Sequence, residues 1–169
     1  FRSLASTMPN QAWLADANGA TYWVNEQVCD YTGQSMQSLV DGGFRHCVHP
    51  DDVQATQKSW ERAVATASAY EHEFRMRRAS DGAYRWFLAR ALPLFDEAGT
   101  VLRWVGTNTD VQEHKNVLEK MAYLNSSLEV EMANRTADRD RMWRLSTDIM
   151  LVADLAGMII AVNPAWSKI

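Results

Sequence analysis

The sequence is poor in cysteine, in proline and glycine, and in basic residues. Its 169 residues include two Cys, 4 Pro and 8 Gly. Two cysteines are too few for a disulfide framework, so Cys29 and Cys47 are predicted to be free buried thiols in a reducing compartment. The low Pro and Gly content, together with 47% hydrophobic residues, excludes a disordered, collagen-like or low-complexity chain. The formal net charge of −4 argues against nucleic-acid binding, which normally requires a basic surface.

Long hydrophobic runs are also missing. A bilayer-spanning helix needs about 20 consecutive apolar residues, and the nearest candidate, residues 149–162, is shorter and carries Asp154. The sequence opens on Phe1 rather than Met and shows no signal peptide. It therefore predicts a cytoplasmic piece of a longer protein, without a membrane segment.

Catalytic motifs are scarce as well. The sequence has no Walker loop, dinucleotide glycine fingerprint, Gly-x-Ser-x-Gly elbow or paired-cysteine motif. The stretch His46-Cys47-Val48-His49, followed by Asp51 and Asp52, holds metal-ligand residue types, but zinc sites usually draw ligands from two separated pairs. Pro50 and both aspartates are equally typical of a helix start. We therefore predict no metal and no catalytic residue, and keep a metal-dependent enzyme as a third functional class.

Hydrophobic periodicity predicts an α+β domain. Residues 70–77 alternate with period 2, whereas Val53, Trp60 and Val64 are spaced for one face of a helix. The connections between the last three strands are too short for crossovers, so those strands are antiparallel. The predicted elements are a helix over 1–8, a hairpin of strands 12–15 and 21–24, short helical pieces over 25–39, a helix over 50–67, and strands over 70–77, 84–95 and 101–109.

The last two strands are apolar on both faces. Trp86, Leu88, Leu92 and Leu94 share one predicted face, and the other carries Phe87, Ala89, Ala91 and Phe95. A sheet that exposes one face to water should alternate between apolar and polar residues. We therefore expect a terminal helix or a second subunit to cover the outer face.

A long helix follows, predicted over residues 111–145 without Gly or Pro. Its apolar residues recur at the spacing of a two-helix coiled coil. This dimer seam consists of Val117, Met121, Leu124, Leu128 and Met132. A single amphipathic helix lying on its own domain is the alternative.

An internal repeat sets the predicted domain plan. Residues 13–25, WLADANGATYWVN, align without a gap with residues 151–163, LVADLAGMIIAVN. The plan is therefore a complete domain over 1–112, a linker helix over 113–145, and the truncated start of a second copy over 146–169.

The first domain resembles a PAS domain of the bacterial sensor type that ends in an Asp-Ile/Val-Thr motif. The resemblance covers residues 1–112 and depends on His49-Pro50-Asp51-Asp52, Glu73-Phe-Arg-Met-Arg-Arg78, Asp81-Gly82, Arg85-Trp86, Asp96-Glu-Ala-Gly99 and Gly106-Thr-Asn-Thr-Asp110-Val111. It implies a five-stranded antiparallel sheet in the order 2-1-5-4-3, with helices on one face around a possible ligand pocket. Asp110 and Gln112 would form the signal junction, where Gln112 replaces the usual threonine and is expected to loosen the contact. The helix over 124–136 resembles those that connect PAS domains to histidine kinases or cyclases.

The predicted interior is either a filled core or a small-molecule pocket. Its candidate residues are Cys29, Tyr31, Trp60, Tyr70, His72, Phe74, Arg90 and Asn108. Flavin-binding relatives carry an Asn-Cys-Arg-Phe pattern that Phe44-Arg-His-Cys-Val-His does not reproduce, and haem-binding relatives carry a histidine in the long helix, where residues 50–67 have none. Both cofactors are therefore predicted to be absent.

The resemblance predicts a regulatory, non-catalytic module of a multi-PAS sensor histidine kinase. The module would dimerise through its helix and outer sheet face and act on a downstream effector domain of the same chain. A diguanylate cyclase or phosphodiesterase parent, or a sensor with a bound cofactor, are the alternatives.

Overall fold

The computed structural model describes residues 10–168. The helix predicted over residues 1–8 lies outside this range. The chain forms two compact units that divide between Asn116 and Val117.

The first unit contains a five-stranded antiparallel sheet in the order β2-β1-β5-β4-β3. The resemblance implied this order, and the structure confirms it. The strands are β1 (Gln11–Asp16), β2 (Thr21–Val24), β3 (Tyr70–Arg77), β4 (Tyr84–Phe95) and β5 (Val101–Asp110). The central strand β5 pairs with β1 from Gln11↔Asn108 to Asp16↔Arg103, which joins the N-terminal hairpin to the C-terminal meander.

Helical segments connect β2 to β3. They are α1 (Glu26–Thr32), α2 (Met36–Ser38), a π-helical turn (Leu39–Gly43), α3 (Phe44–Cys47) and α4 (Pro50–Thr66). The sequence predicted the first pieces and α4, but not α3.

Helix α4 begins as the sequence predicted. Pro50 occupies the first turn, and the His49 side chain accepts a hydrogen bond from the Asp51 backbone N–H at Nδ1, at 3.3 Å. Asp51 and Asp52 lie in the first turn, where carboxylates complement the positive end of the helix dipole.

The main core lies between the inner face of the sheet and these helices. Its fully buried side chains include Trp104, Phe74 and Met76. Gly106 permits this packing, because a Cβ there would lie 2.3 Å from the Trp13 ring. On the opposite face of β1, a smaller buried cluster is formed by Ala12, Leu14 and Trp23.

The end of β4 departs from the predicted alternation. Phe87, Ala89 and Ala91 are buried as expected, but Phe95 is 51% exposed. The β4–β5 register shifts between Leu94 and Phe95, so the last residue no longer follows the inner face. Leu92 and Leu94 are exposed on the other face, at 61% and 43%.

Helix α5 (Gln112–Leu145) begins in the first unit, and its residues from Val117 onward belong to the second. The second unit also contains a hairpin of β6 (Leu151–Ala153) and β7 (Ile159–Val162), followed by a 3₁₀ turn (Pro164–Lys168).

The two hairpins share register and hydrogen bonding. Trp13 pairs with Val24, and Leu151 pairs with Val162, 138 positions further along the chain in each strand. The Asn25 Oδ1 atom accepts the Ala12 backbone N–H at 3.0 Å, and Asn163 Oδ1 accepts that of Met150 at 2.9 Å. The sequence repeat therefore corresponds to a repeated local structure.

Candidate functional site

A cavity of about 340 Å³ opens in the first unit, between the inner sheet face and the helices that precede β3. Both layers contribute walls, which are mostly apolar. The apolar lining residues are Trp13, Val24, Val28, Leu39, Val40, Gly42, Phe44, Val48, Val53, Trp60, Tyr70, Phe74 and Ala89, and the polar ones are Thr21, Arg45, Thr56, Gln57 and Asn108.

Aromatic rings organise the deep wall of the cavity. The Trp60 ring packs edge-to-face against Trp13, Tyr70 and Trp104, at centroid distances of 5.3, 5.0 and 5.0 Å. Its indole N–H also donates to the Gly19 carbonyl oxygen at 3.0 Å. Because these contacts reach β1, β3 and β5, Trp60 holds α4 against the sheet.

Asn108 supports this wall from the central strand. Its Oδ1 atom accepts the Trp13 indole N–H at 3.0 Å, and its amide nitrogen donates to Gln11 Oε1 at 3.1 Å. Both ends of the Asn108 amide are therefore used within the protein. Asn108 fixes the orientation of Trp13 rather than presenting an unpaired polar group to a ligand.

Four of the eight predicted pocket residues line the cavity: Trp60, Tyr70, Phe74 and Asn108. Cys29 and Tyr31 are half-buried and pack against the core from α1, outside the lining. Arg90 is exposed on the opposite face of β4 and pairs with Glu71 at 2.8 Å, because its neighbours Ala89 and Ala91 occupy the inner face.

His72 lies on the inner side of β3, half-buried beside Tyr70, with the two rings stacked at 6.3 Å. Burial of the side chains lowers the pKa of His72 and raises the pKa of Tyr70 to about 12. The Tyr70 phenol is therefore neutral at physiological pH. His72 is not among the lining residues.

The possible metal ligands between His46 and Asp52 have separate roles. His49 caps α4, Cys47 is buried, and Asp52 is paired with Arg75. No group of three or more His, Cys, Asp or Glu side chains between residues 10 and 168 is arranged to hold a metal ion.

At the predicted signal junction, Asp110 joins β5 to α5. One Asp110 carboxylate oxygen accepts the Gln112 backbone N–H at 2.9 Å, and the other accepts Arg85 Nε at 2.6 Å. Gln112 is also anchored, since its Oε1 atom accepts the Trp86 backbone N–H at 3.1 Å. The Gln112 side chain therefore contacts β4, and the expected loosening of the junction stays a prediction.

The Trp86 ring forms a second connection at this junction, one that sequence reasoning missed. The Lys115 ammonium nitrogen lies 4.7 Å from the centroid of the ring, and the Arg75 guanidinium carbon lies 5.4 Å from it. Lys115 also pairs with Glu73 at 2.6 Å, and Arg75 pairs with Asp52 at 2.7 Å. The first turns of α4 and α5 are therefore linked through one indole.

The five predicted seam residues are exposed on α5, with exposed fractions between 49% at Leu124 and 68% at Met132. No helix in the described part of the chain is long and apolar enough to cross a membrane.

Comparisons with curated proteins give two relatives at 31% identity. One is the peroxide stress-activated histidine kinase mak1 of Schizosaccharomyces pombe, matched over 167 residues, 98% of this chain and 10% of that protein. The other is the uncharacterized protein y4lL of Sinorhizobium fredii, matched over 120 residues, 71% of this chain and 14% of that protein. The chain thus spans a small part of the length of either relative.

Solved structures give the same fold. A sensory box histidine kinase/response regulator from Burkholderia thailandensis superposes with a TM-score of 0.52 at 23% identity, covering 75% of this chain and 93% of that one. The family model described as "PAS fold" matches residues 21–108, which include the cavity-lining segments from Thr21 to Asn108. The chain belongs to the PAS family.

Proposed function

We propose that this chain is the sensory, non-catalytic part of a cytoplasmic sensor histidine kinase. The observation that carries the proposal is the 31% identity to a histidine kinase over 98% of this chain, which extends through α5 and the second hairpin. Identity over the sensory domain alone would be compatible with many effectors. Identity that includes the linker favours the same kind of output.

The sensing step is assigned to the cavity. Ligand pockets are concave and mostly apolar, with a few polar groups, and begin at about 300 Å³. A cavity of about 340 Å³ with thirteen apolar and five polar lining residues fits this description. The proposed signal is a small molecule other than flavin or haem.

The output step is assigned to a parallel dimer of α5. Five apolar side chains at coiled-coil spacing are exposed on α5, and pairing with a second α5 would bury them. The exposed apolar residues Leu92 and Leu94 on the outer sheet face are proposed as a separate dimer contact within the first unit. The transmitted change would then pass to the kinase domain of the parent protein.

The second unit is proposed to be the beginning of another PAS domain. Its hairpin repeats the register and the asparagine hydrogen bonds of β1–β2. Its apolar side chains, such as Ile159 and Ile160, are exposed at 53% and 64%, which is expected where further chain supplies the cover.

The proposal is tested on the parent protein by autophosphorylation. A deletion of residues 1–112 should leave phosphate incorporation from ATP intact and remove its dependence on the signal. Absence of ATP-dependent phosphorylation from the intact parent would reject the kinase assignment. Native mass measurement of the 169-residue chain tests the dimer separately, and a strictly monomeric mass at high concentration would reject it.

A further inference from the structure

We infer that the cavity selects a ligand with an apolar body and one anionic head group, such as a medium-chain carboxylate, and that Arg45 reads the head group. This inference rests on the proposed sensing function of the cavity. It goes beyond that function by naming the ligand class and a specificity-determining residue.

Within the described part of the chain, the lining of the cavity carries a single positive charge and no negative charge. Among residues 10–168, those that line the cavity include no Asp or Glu, and their one formal charge is the guanidinium of Arg45. Burying a cationic ligand in apolar surroundings without a partner carboxylate is costly. The wall therefore disfavours cations and favours neutral or anionic ligands.

The polar groups of the wall are largely committed to the protein itself. Asn108 uses both ends of its amide, the Thr56 hydroxyl donates to the Asp52 carbonyl at 2.8 Å, and Gln57 donates to Glu61 at 2.8 Å. The indole N–H of Trp60 is bound to Gly19. The Arg45 guanidinium and the Thr21 hydroxyl have no ion pair or hydrogen bond to another described residue, and Arg45 is the charged one of the two.

The position of Arg45 suits a head group at the cavity mouth. Its side chain is exposed and lines both the cavity and an adjoining surface depression, where, among the described residues, the cations of Arg45 and Lys58 outnumber the one carboxylate, that of Glu61. The preceding residue, Phe44, packs edge-to-face on Phe74 at 5.9 Å, which anchors α3 to the core. An apolar tail would thus lie against the aromatic wall while a carboxylate remains at the guanidinium, where bidentate hydrogen bonds are available.

An aromatic cage for a quaternary ammonium is the competing interpretation. Trp13, Trp60 and Tyr70 all line the cavity, and aromatic faces bind cations. The Trp13 and Tyr70 rings, however, both pack edge-to-face with Trp60, and any ammonium would enter past the like charge of Arg45. The charge of the mouth therefore favours the carboxylate.

The test uses three probes with the same chain length, decanoate, decanol and decyltrimethylammonium, each below its critical micelle concentration. Binding to the 169-residue chain is measured by tryptophan fluorescence and calorimetry at neutral pH and low salt. We expect decanoate to bind about tenfold more tightly than decanol, a difference equal to about 1.4 kcal/mol, and the ammonium probe to bind most weakly. Added salt should weaken the binding of decanoate but not that of decanol.

Substitutions test whether Arg45 causes the preference for decanoate over decanol. Arg45→Gln should remove the preference for decanoate and leave the Kd of decanol within about twofold, because Arg45 is exposed and supports no other residue. Arg45→Lys should retain part of the preference. Arg90→Gln is the matched control, since it removes an exposed arginine from the opposite face of the sheet and should change neither Kd.

The outcomes separate the two proposals. Equal affinity for decanoate and decanol, or a preference that persists in Arg45→Gln, overturns the role of Arg45 and leaves the cavity as a ligand site. Tightest binding of the ammonium probe overturns the anionic ligand class in favour of the cage. Failure of all three probes to bind overturns the inference, whereas the proposed kinase function is still tested by phosphorylation of the parent.

Discussion

Replacing Trp60 with alanine tests whether α4 is fixed to the sheet by one side chain. The substitution removes edge-to-face contacts with Trp13, Tyr70 and Trp104 and the hydrogen bond to the Gly19 carbonyl. Replacing a buried tryptophan with alanine costs about 3–5 kcal/mol, and Trp60 is partly buried. Because Trp60 already borders a cavity that reaches exposed Arg45, water can occupy part of the vacated space. The expected loss in the free energy of unfolding is therefore near the lower end, about 3 kcal/mol.

A conservative variant separates the ring from its hydrogen bond. Trp60→Phe keeps an aromatic ring at the centre of the cluster but loses the indole N–H that donates to Gly19 at 3.0 Å. The expected cost of the lost hydrogen bond is about 0.5–1.5 kcal/mol. Trp166→Ala serves as the control, because that ring is 52% exposed in the second unit and its loss should change stability by less than about 0.5 kcal/mol.

Urea denaturation followed by far-ultraviolet circular dichroism measures all three variants. The expected order of stability is wild type and Trp166→Ala, then Trp60→Phe, then Trp60→Ala. If Trp60→Ala unfolds at the same urea concentration as Trp166→Ala, the packing argument is refuted and the ring does not hold α4 in place.

Three further predictions concern the junction, the helix and an ion pair. Asp110→Ala should cost about 0.5–2 kcal/mol yet uncouple sensing from output, and a signal-responsive mutant of the parent protein would contradict this. Inserting two residues near Asn134 rotates the downstream helix by about 200° and should lock the output of the parent protein in one state, whereas inserting seven residues should preserve regulation. Equal output from both insertion variants would refute phase coupling. Hydrogen bonding to Arg75 lowers the pKa of Asp52, so the pair stabilises the fold above about pH 4 and loses this contribution as the pH falls through the folded-state pKa. The difference in the free energy of unfolding between wild type and Asp52→Asn, measured in urea, should therefore become smaller from pH 7 toward pH 3. A difference that does not change with pH would show that the Asp52–Arg75 pair is not its cause.

The sheet could be predicted from sequence because its signals are local. Alternation in β3 and the short turns that follow specify an antiparallel meander before any tertiary contact is known. The start of α4 is also local, since Pro50 and two aspartates follow a residue that caps the helix through its own side chain. The strand order required the family resemblance, because pairing of β1 with β5 joins residues almost a hundred positions apart.

The cavity could not be predicted in the same way. Arg90 and Asn108 are both polar residues on strands, and the face of each is set by register rather than by residue type. Asn108 pairs with Gln11 and Ala89 on the inner face of the sheet, whereas Arg90 pairs with Glu71 outside. Arg45 gave no sequence signal, because its relation to the cavity depends on how short, non-periodic helical segments fold.

Helix α4 lines the cavity and is also connected, through Arg75 and Trp86, to the first turn of α5. These two contacts give the proposed signal a physical path. Trp60 and Val53 line the cavity, while Asp52, in the same helix, holds Arg75 by two side-chain hydrogen bonds of 2.8 and 2.7 Å. The Arg75 guanidinium lies over the Trp86 ring, and the Lys115 ammonium of α5 lies over the same ring. Contact alone does not make a switch, because a ligand shifts an equilibrium only by its difference in affinity for two states. A ligand with the same affinity for both positions of α4 would bind without signalling. A ligand that binds more tightly when α4 is displaced would shift Arg75, and through the Trp86 ring it would shift the first turn of α5.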